Sequence, residues 1–246
     1  LKYLENKYGI EIKHEKAKKP IPTCNKLYGQ PFLSKQVSEF MMRLQRHNFQ
    51  WEDKSYDELI LKYPNCKSAL EWWCGEKGKG SRFNIQQNKG LKEFVIKNPP
   101  QFKISNKCCY YAKKLVAKDF NDKNKTDLNI VGIRKAEGGA RSTAYKNCFT
   151  SNTDKQDEYR PIFWYKNDTK EVYENNFDVI HSKCYSEYGL KRTGCAGCPF
   201  GRDFEFELEV IKQYEPRLYK AVNNIFKDSY EYTRKYNEFK AKFIHK

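Results

Sequence analysis

No apolar run in these 246 residues approaches the ~20 needed to cross a bilayer as a helix, and the start has no basic, apolar, small-residue order of a secretory signal. A membrane-spanning protein and a visibly exported one are both disfavoured. Acidic charge is scarce: Asp+Glu 31 against Lys+Arg 47 leaves +16. That field favours polyanionic partners such as nucleic acid, nucleotides and phosphosulfates. The lysines are spread over nearly every segment, so solubility alone explains them equally well. Histidine is also scarce, and His14, His47, His181 and His245 stand apart in sequence, so none is assigned a catalytic role. The first residue is Leu1, and 1–8 already reads as helix, so the chain is expected to be a piece of a longer one.

Hydrophobic residues make up 39% of the chain, with Tyr 18, Phe 16 and Trp 4. These rings bury large areas and tolerate a wet edge, so they can build a core from a modest number of residues. Nine cysteines, an odd number unevenly placed, suit a reducing, cytoplasmic compartment in which clustered thiols serve metal binding or catalysis.

Helices are expected where apolar residues recur every three or four positions: over 36–45, with Val37, Phe40, Met41 and Leu44 on one face, and over 56–63, 68–74, 91–97, 107–120 and 181–188. A helical run from Phe204 to Phe243 is broken near Pro216. Strands are expected at 10–13, at 128–133 as a buried run, and at 160–165 with Pro161 at its start. Lys16 to Pro22 and the glycine-rich 75–80 read as basic loops. This order predicts an α/β domain over 1–201 with a parallel sheet, followed by a helical extension over 202–246.

The most specific signal is Cys195-Ala196-Gly197-Cys198. Two thiolates two residues apart can hold one metal from a single tight turn, and the flanking glycines permit the turn. Such a pair needs two further ligands, which the adjacent Cys108 and Cys109 can supply from the start of a helix. Neighbouring side chains diverge, which suits the separate corners of a [4Fe–4S] cluster better than one tetrahedral zinc. Zinc remains the alternative. Cys184 and Cys148 are reserve ligands, while Cys24, Cys66 and Cys74 read as small buried hydrophobes.

Three runs carry a family likeness. Lys107-Cys108-Cys109-Tyr110-Tyr111 resembles the cysteine-pair helix of the PAPS/APS (phosphoadenosine phosphosulfate/adenylyl-sulfate) reductase family. Val131-Gly132-Ile133-Arg134-Lys135-Ala136-Glu137-Gly138-Gly139-Ala140-Arg141 resembles its strand and substrate-facing basic turn, and Tyr188 to Cys195 is similar to the run into its second cysteine pair.

The resemblance implies a Rossmann-like fold of the adenine nucleotide alpha-hydrolase-like superfamily, incomplete at the N-terminus because the family's Ser-Gly-Gly-Lys-Asp-Ser-like phosphate loop has no counterpart here. It implies an adenine nucleotide substrate (adenylyl sulfate, PAPS or ATP) and a thiol reductant such as thioredoxin. Arg134, Lys135 and Arg141, with Lys107 and Arg192 beside the cysteine pairs, would neutralise the substrate's charge. The family's Glu-Cys-Gly-like C-terminal nucleophile is absent from the final residues, which leaves the catalytic residue unassigned. A neighbouring class with the same logic thiolates tRNA or DNA at the expense of ATP, and a zinc-stabilised nucleic-acid-binding module is a further alternative.

Overall fold

The computed structural model describes residues 1–78, 80–81, 83–152, 156–201 and 203–244, with the side chains of 139–141 and 243–244 outside that description. His245 and part of the 75–80 loop therefore lie outside the described residues. The chain divides into two compact units, Leu1–Val116 with Leu190–Lys246, and Ala117–Gly189.

The first unit opens with α1 (Lys2–Tyr8), closed by Gly9 in the left-handed conformation, and α2 (Ile21–Tyr28). The strand expected at 10–13 does not form: Ile10 is exposed, and the Ile12 amide donates to Glu5 Oε1 at 3.0 Å. Alternation alone cannot make a strand where no neighbouring strand accepts its backbone. The loop expected up to Pro22 ends earlier, because Pro22 sits in the first turn of α2, where its missing N–H costs nothing.

Four helices then build the main core. They are α3 (Lys35–Arg46), capped by the Ser34 hydroxyl accepting from the Val37 amide, α4 (Tyr56–Lys62), α5 (Lys67–Cys74) and α6 (Leu91–Lys97). The apolar face expected on α3 is buried as read, at Val37, Phe40, Met41 and Leu44. Those residues meet Trp72 and Trp73 of α5, with Phe40 stacked on Trp72 at 5.3 Å. Cys24 and Cys66 are buried and Cys74 packs against the core, in keeping with their reading as small hydrophobes.

The segment expected as one helix over 107–120 has three parts. These are α7 (Lys107–Cys109), a π-helical turn (Tyr110–Lys114) and α8 (Leu115–Asn124). The division into units falls after Val116.

In the second unit, β1 (Leu128–Ile130), β2 (Phe149–Thr150) and β3 (Asp157–Tyr159) form a three-stranded sheet in the order β1-β3-β2. β1 runs parallel to β3, and β2 antiparallel to it. The sheet is mixed, which corrects the expected parallel one. β1 is shorter than the expected 128–133 and is not buried, with Leu128 42% and Ile130 63% exposed. The segment 160–165 is a turn that follows β3, and the buried Arg160 guanidinium donates to the Asn147 carbonyl, Thr150 and Glu158. Helices α9 (Gly139–Ala144), α10 (Asn167–Asn176) and α11 (Lys183–Ser186) complete the unit, α11 being shorter than the expected 181–188.

Back in the first unit, α12 (Phe204–Tyr214) and α13 (Pro216–Ile244) follow the expected break at Pro216, and α13 kinks at Phe226. Tyr232 and Tyr236 of α13 belong to the main core. Residues 202–246 thus share a unit with 1–116, and the contact division does not fall at 201/202. The molecule is predominantly helical with a small mixed sheet, so helices and strands are both present as the α/β reading requires. Among the described residues no helix is long and apolar enough to cross a membrane.

Candidate metal centre

Cys108 and Cys109 occupy the second and third positions of α7. Asn106 anchors this start: its side chain donates to the Lys35 carbonyl at 2.9 Å, while the Lys107 amide donates to Ser105 Oγ at 3.0 Å. The π-helical turn follows at once. Such turns widen a helix and recur at functional sites.

The second pair lies on a tight turn in which the Cys198 amide donates to the Cys195 carbonyl at 3.2 Å and the Gly201 amide to the Cys198 carbonyl at 2.8 Å. Gly197 takes φ +58, and a Cβ there would meet Tyr230 Oη at 2.7 Å and Val222 Cβ at 3.0 Å. The Tyr230 hydroxyl donates to the Gly197 carbonyl. Tyr230 is itself held in a small second core with Phe204, Leu208, Val222 and Phe226, stacked on Phe204 at 5.4 Å. The turn's conformation is therefore set by α12 and α13.

These elements bring the four thiols into one electrostatic neighbourhood. Cys198 is pushed up to about 11, chiefly by burial, with Cys109, Cys195 and Glu207 adding to the rise and the Phe200 amide opposing it. Cys108 and Cys109 hydrogen-bond each other. That bond pulls Cys109 well below the ordinary thiol range, with Lys35, Lys113 and Lys114 assisting, and drives Cys108 well above it together with burial. Burial raises the nearby Glu207, and Arg192 opposes that rise.

Cys108 is buried and Cys109, Cys195 and Cys198 are half-buried; Cys109 is shifted toward its thiolate, whereas Cys108 and Cys198 are shifted away from theirs. Four sulfur donors are the ligand type of a soft metal or an iron–sulfur cluster. Among the described residues no three His, Cys, Asp or Glu side chains are grouped as ligands of one ion.

Of the basic residues expected to meet substrate, Lys107 and Arg192 share the first unit with the four thiols. Lys107 Nζ lies 5.5 Å from the Tyr110 ring centre, and Arg192 is exposed. Arg134 and Lys135 belong to the second unit. There Arg134 Nη1 donates to the Lys166 carbonyl and Asn167 Oδ1 at 3.1 and 3.2 Å, and Lys135 Nζ stands 5.1 Å over the Trp164 ring. Arg141 lies on α9 and its side chain is outside the described residues. The reserve ligands Cys148 and Cys184 are in the second unit, Cys184 on α11.

Sequence reasoning missed Tyr230 and Glu207. Both lie in a helical run that reads as packing, and no local pattern marks a tyrosine whose hydroxyl closes a turn 33 positions upstream. No family model matches the chain, and neither the curated proteins nor the solved structures yield a significant match.

Proposed function

We propose that the chain is a sulfur-transfer enzyme of the PAPS/APS reductase type, with a Rossmann-like relationship underlying its α/β architecture and Cys108, Cys109, Cys195 and Cys198 holding a [4Fe–4S] cluster. One observation carries the reading. Two cysteine pairs far apart in sequence share one electrostatic neighbourhood, with Cys109 biased toward thiolate by hydrogen bonding and three lysines.

When bound, the cluster supplies a polarising centre beside an anionic substrate. The chain's own groups do the rest of the local work. Tyr230 fixes the turn that presents Cys195 and Cys198. Lys107 and Arg192 place positive charge in the unit that holds the thiols. The reaction class is displacement at sulfur: a thiol of the reductant bonds to the sulfonyl sulfur as the adenosine phosphate leaves. A second thiol then forms a disulfide with the first and releases sulfite.

A second reading, ATP-dependent thiolation of tRNA or DNA, is favoured by the net charge of +16. Salt-sensitive tRNA binding together with failure to release sulfite would select it.

Anaerobic purification with metal analysis tests the centre. About four irons per chain, a broad visible absorption, and loss of both in Cys195→Ser are expected. Stoichiometric zinc without iron sinks the cluster and favours a zinc-stabilised binding module.

A further inference from the structure

A second basic feature of the first unit adjoins the first cysteine pair at Lys107. A cleft of about 400 Å³ opens between α3 and α5 and reaches the start of α7. Arg43 and Arg46 enter it from the last turn of α3, His47 from that helix's C-cap, Lys67 from the first position of α5 and Lys107 from the first position of α7. Glu39 is the one acidic side chain among its described lining residues, and it is already paired with Arg43 at 2.9 Å. Four permanent cations thus face one carboxylate. No described ion pair engages Arg46, Lys67 or Lys107.

Helix stability accounts for part of this arrangement only. Arg43 and Arg46 suit the negative end of α3. Lys67 is the opposite case, because a cation at the first position of α5 opposes the helix dipole and that first turn holds no acidic residue to offset it. Gathering like charges in a concave site costs energy that a bound anion removes. Departures from a local rule of this kind are expected at functional sites. The cleft has no Phe, Tyr or Trp among its described lining residues. Ser68 adds a neutral hydroxyl. The chemistry is that of an oxyanion.

We propose that the cleft between α3 and α5 is a phosphate-binding site, built by Arg43, Arg46, His47, Lys67 and Lys107. The phosphate group is either that of a small phosphorylated ligand or a phosphodiester of a nucleic-acid strand. The site does not rest on the cluster. Cys195→Ser should keep its phosphate affinity, and Arg46→Ala should keep its metal.

The test is titration of the full chain with inorganic phosphate and, separately, with a single-stranded oligothymidylate. The chains compared are the wild type, Arg46→Ala, Lys67→Ala and the exposed α13 control Lys220→Ala, all checked for unchanged circular dichroism. Each cleft substitution should weaken binding by about tenfold, as expected for losing one charge-assisted contact, while Lys220→Ala leaves it unchanged. Saturable phosphate binding that follows the cleft variants identifies a small ligand. If only the oligothymidylate follows them, with its salt slope falling by about 0.7 per cation removed, the source is a strand backbone. Absence of binding by both probes, or equal loss in Lys220→Ala, overturns the proposal.

Discussion

Gly197 shows how one residue governs the cysteine turn. Its φ of +58 is costly for any side chain, and a Cβ would press on Tyr230 Oη and Val222 Cβ, neither of which can swing away. Gly197→Ala is expected to destabilise the chain by about 1–3 kcal/mol and to lower metal retention with it. Gly194 is a matched control, since a Cβ there meets nothing within 4 Å. Urea midpoints of the two variants decide the matter, and equal losses would refute the account. The four cysteines and the need for glycine in the turn were legible at this scale, because spacing within a turn is local. The opposite shifts of Cys108 and Cys109, and the assistance of Lys35, were not, because Lys35 reaches the pair only through the folded backbone.

Among the elements, α13 ties both cores of the first unit together. Its Tyr230, Tyr232 and Tyr236 hydroxyls donate to the carbonyls of Gly197, Asn98 and Lys89. Burial raises all three, Tyr236 to about 12. An unfolded tyrosine loses its proton near pH ~10, so above that pH the unfolded chain binds fewer protons than the folded one. Their contribution to stability is therefore complete below about pH 10 and falls as pH rises toward 12 and beyond. Urea midpoints should hold to pH 9 and drop by pH 11, and Tyr236→Phe should flatten that alkaline limb. An unchanged slope in Tyr236→Phe would count against the assignment.

Helices such as α3 and α6 were legible as elements because one apolar face at 3.6-residue spacing is a strong local pattern. The strands were not. Pairing partners, which sequence alternation does not specify, decided that 10–13 stays irregular and that 157–159, not 160–165, enters the sheet.

At the scale of the whole molecule, burial is unequal. Among the described residues of Ala117–Gly189, Phe163 is the one fully buried apolar side chain, whereas the first unit holds the tryptophan-rich core and the Tyr230 cluster. Amides of β1 and β3 should therefore exchange with solvent well before those of α3 and α5, because few buried contacts oppose local opening there. Equal protection in native-state hydrogen exchange would contradict this.

The amino-acid sequence by itself determined the helical segments of the main core, the break at Pro216, the basic character and the two cysteine pairs, since each depends on composition or on neighbours a few positions away. Only the tertiary structure decided that the sheet is small and mixed and that 202–246 packs in the unit of 1–116. It also placed Tyr230 to hold the cysteine turn and brought Arg46, Lys67 and Lys107 to one cleft. Those outcomes depend on strand partners and on side chains meeting across tens of residues, and no local pattern encodes that information.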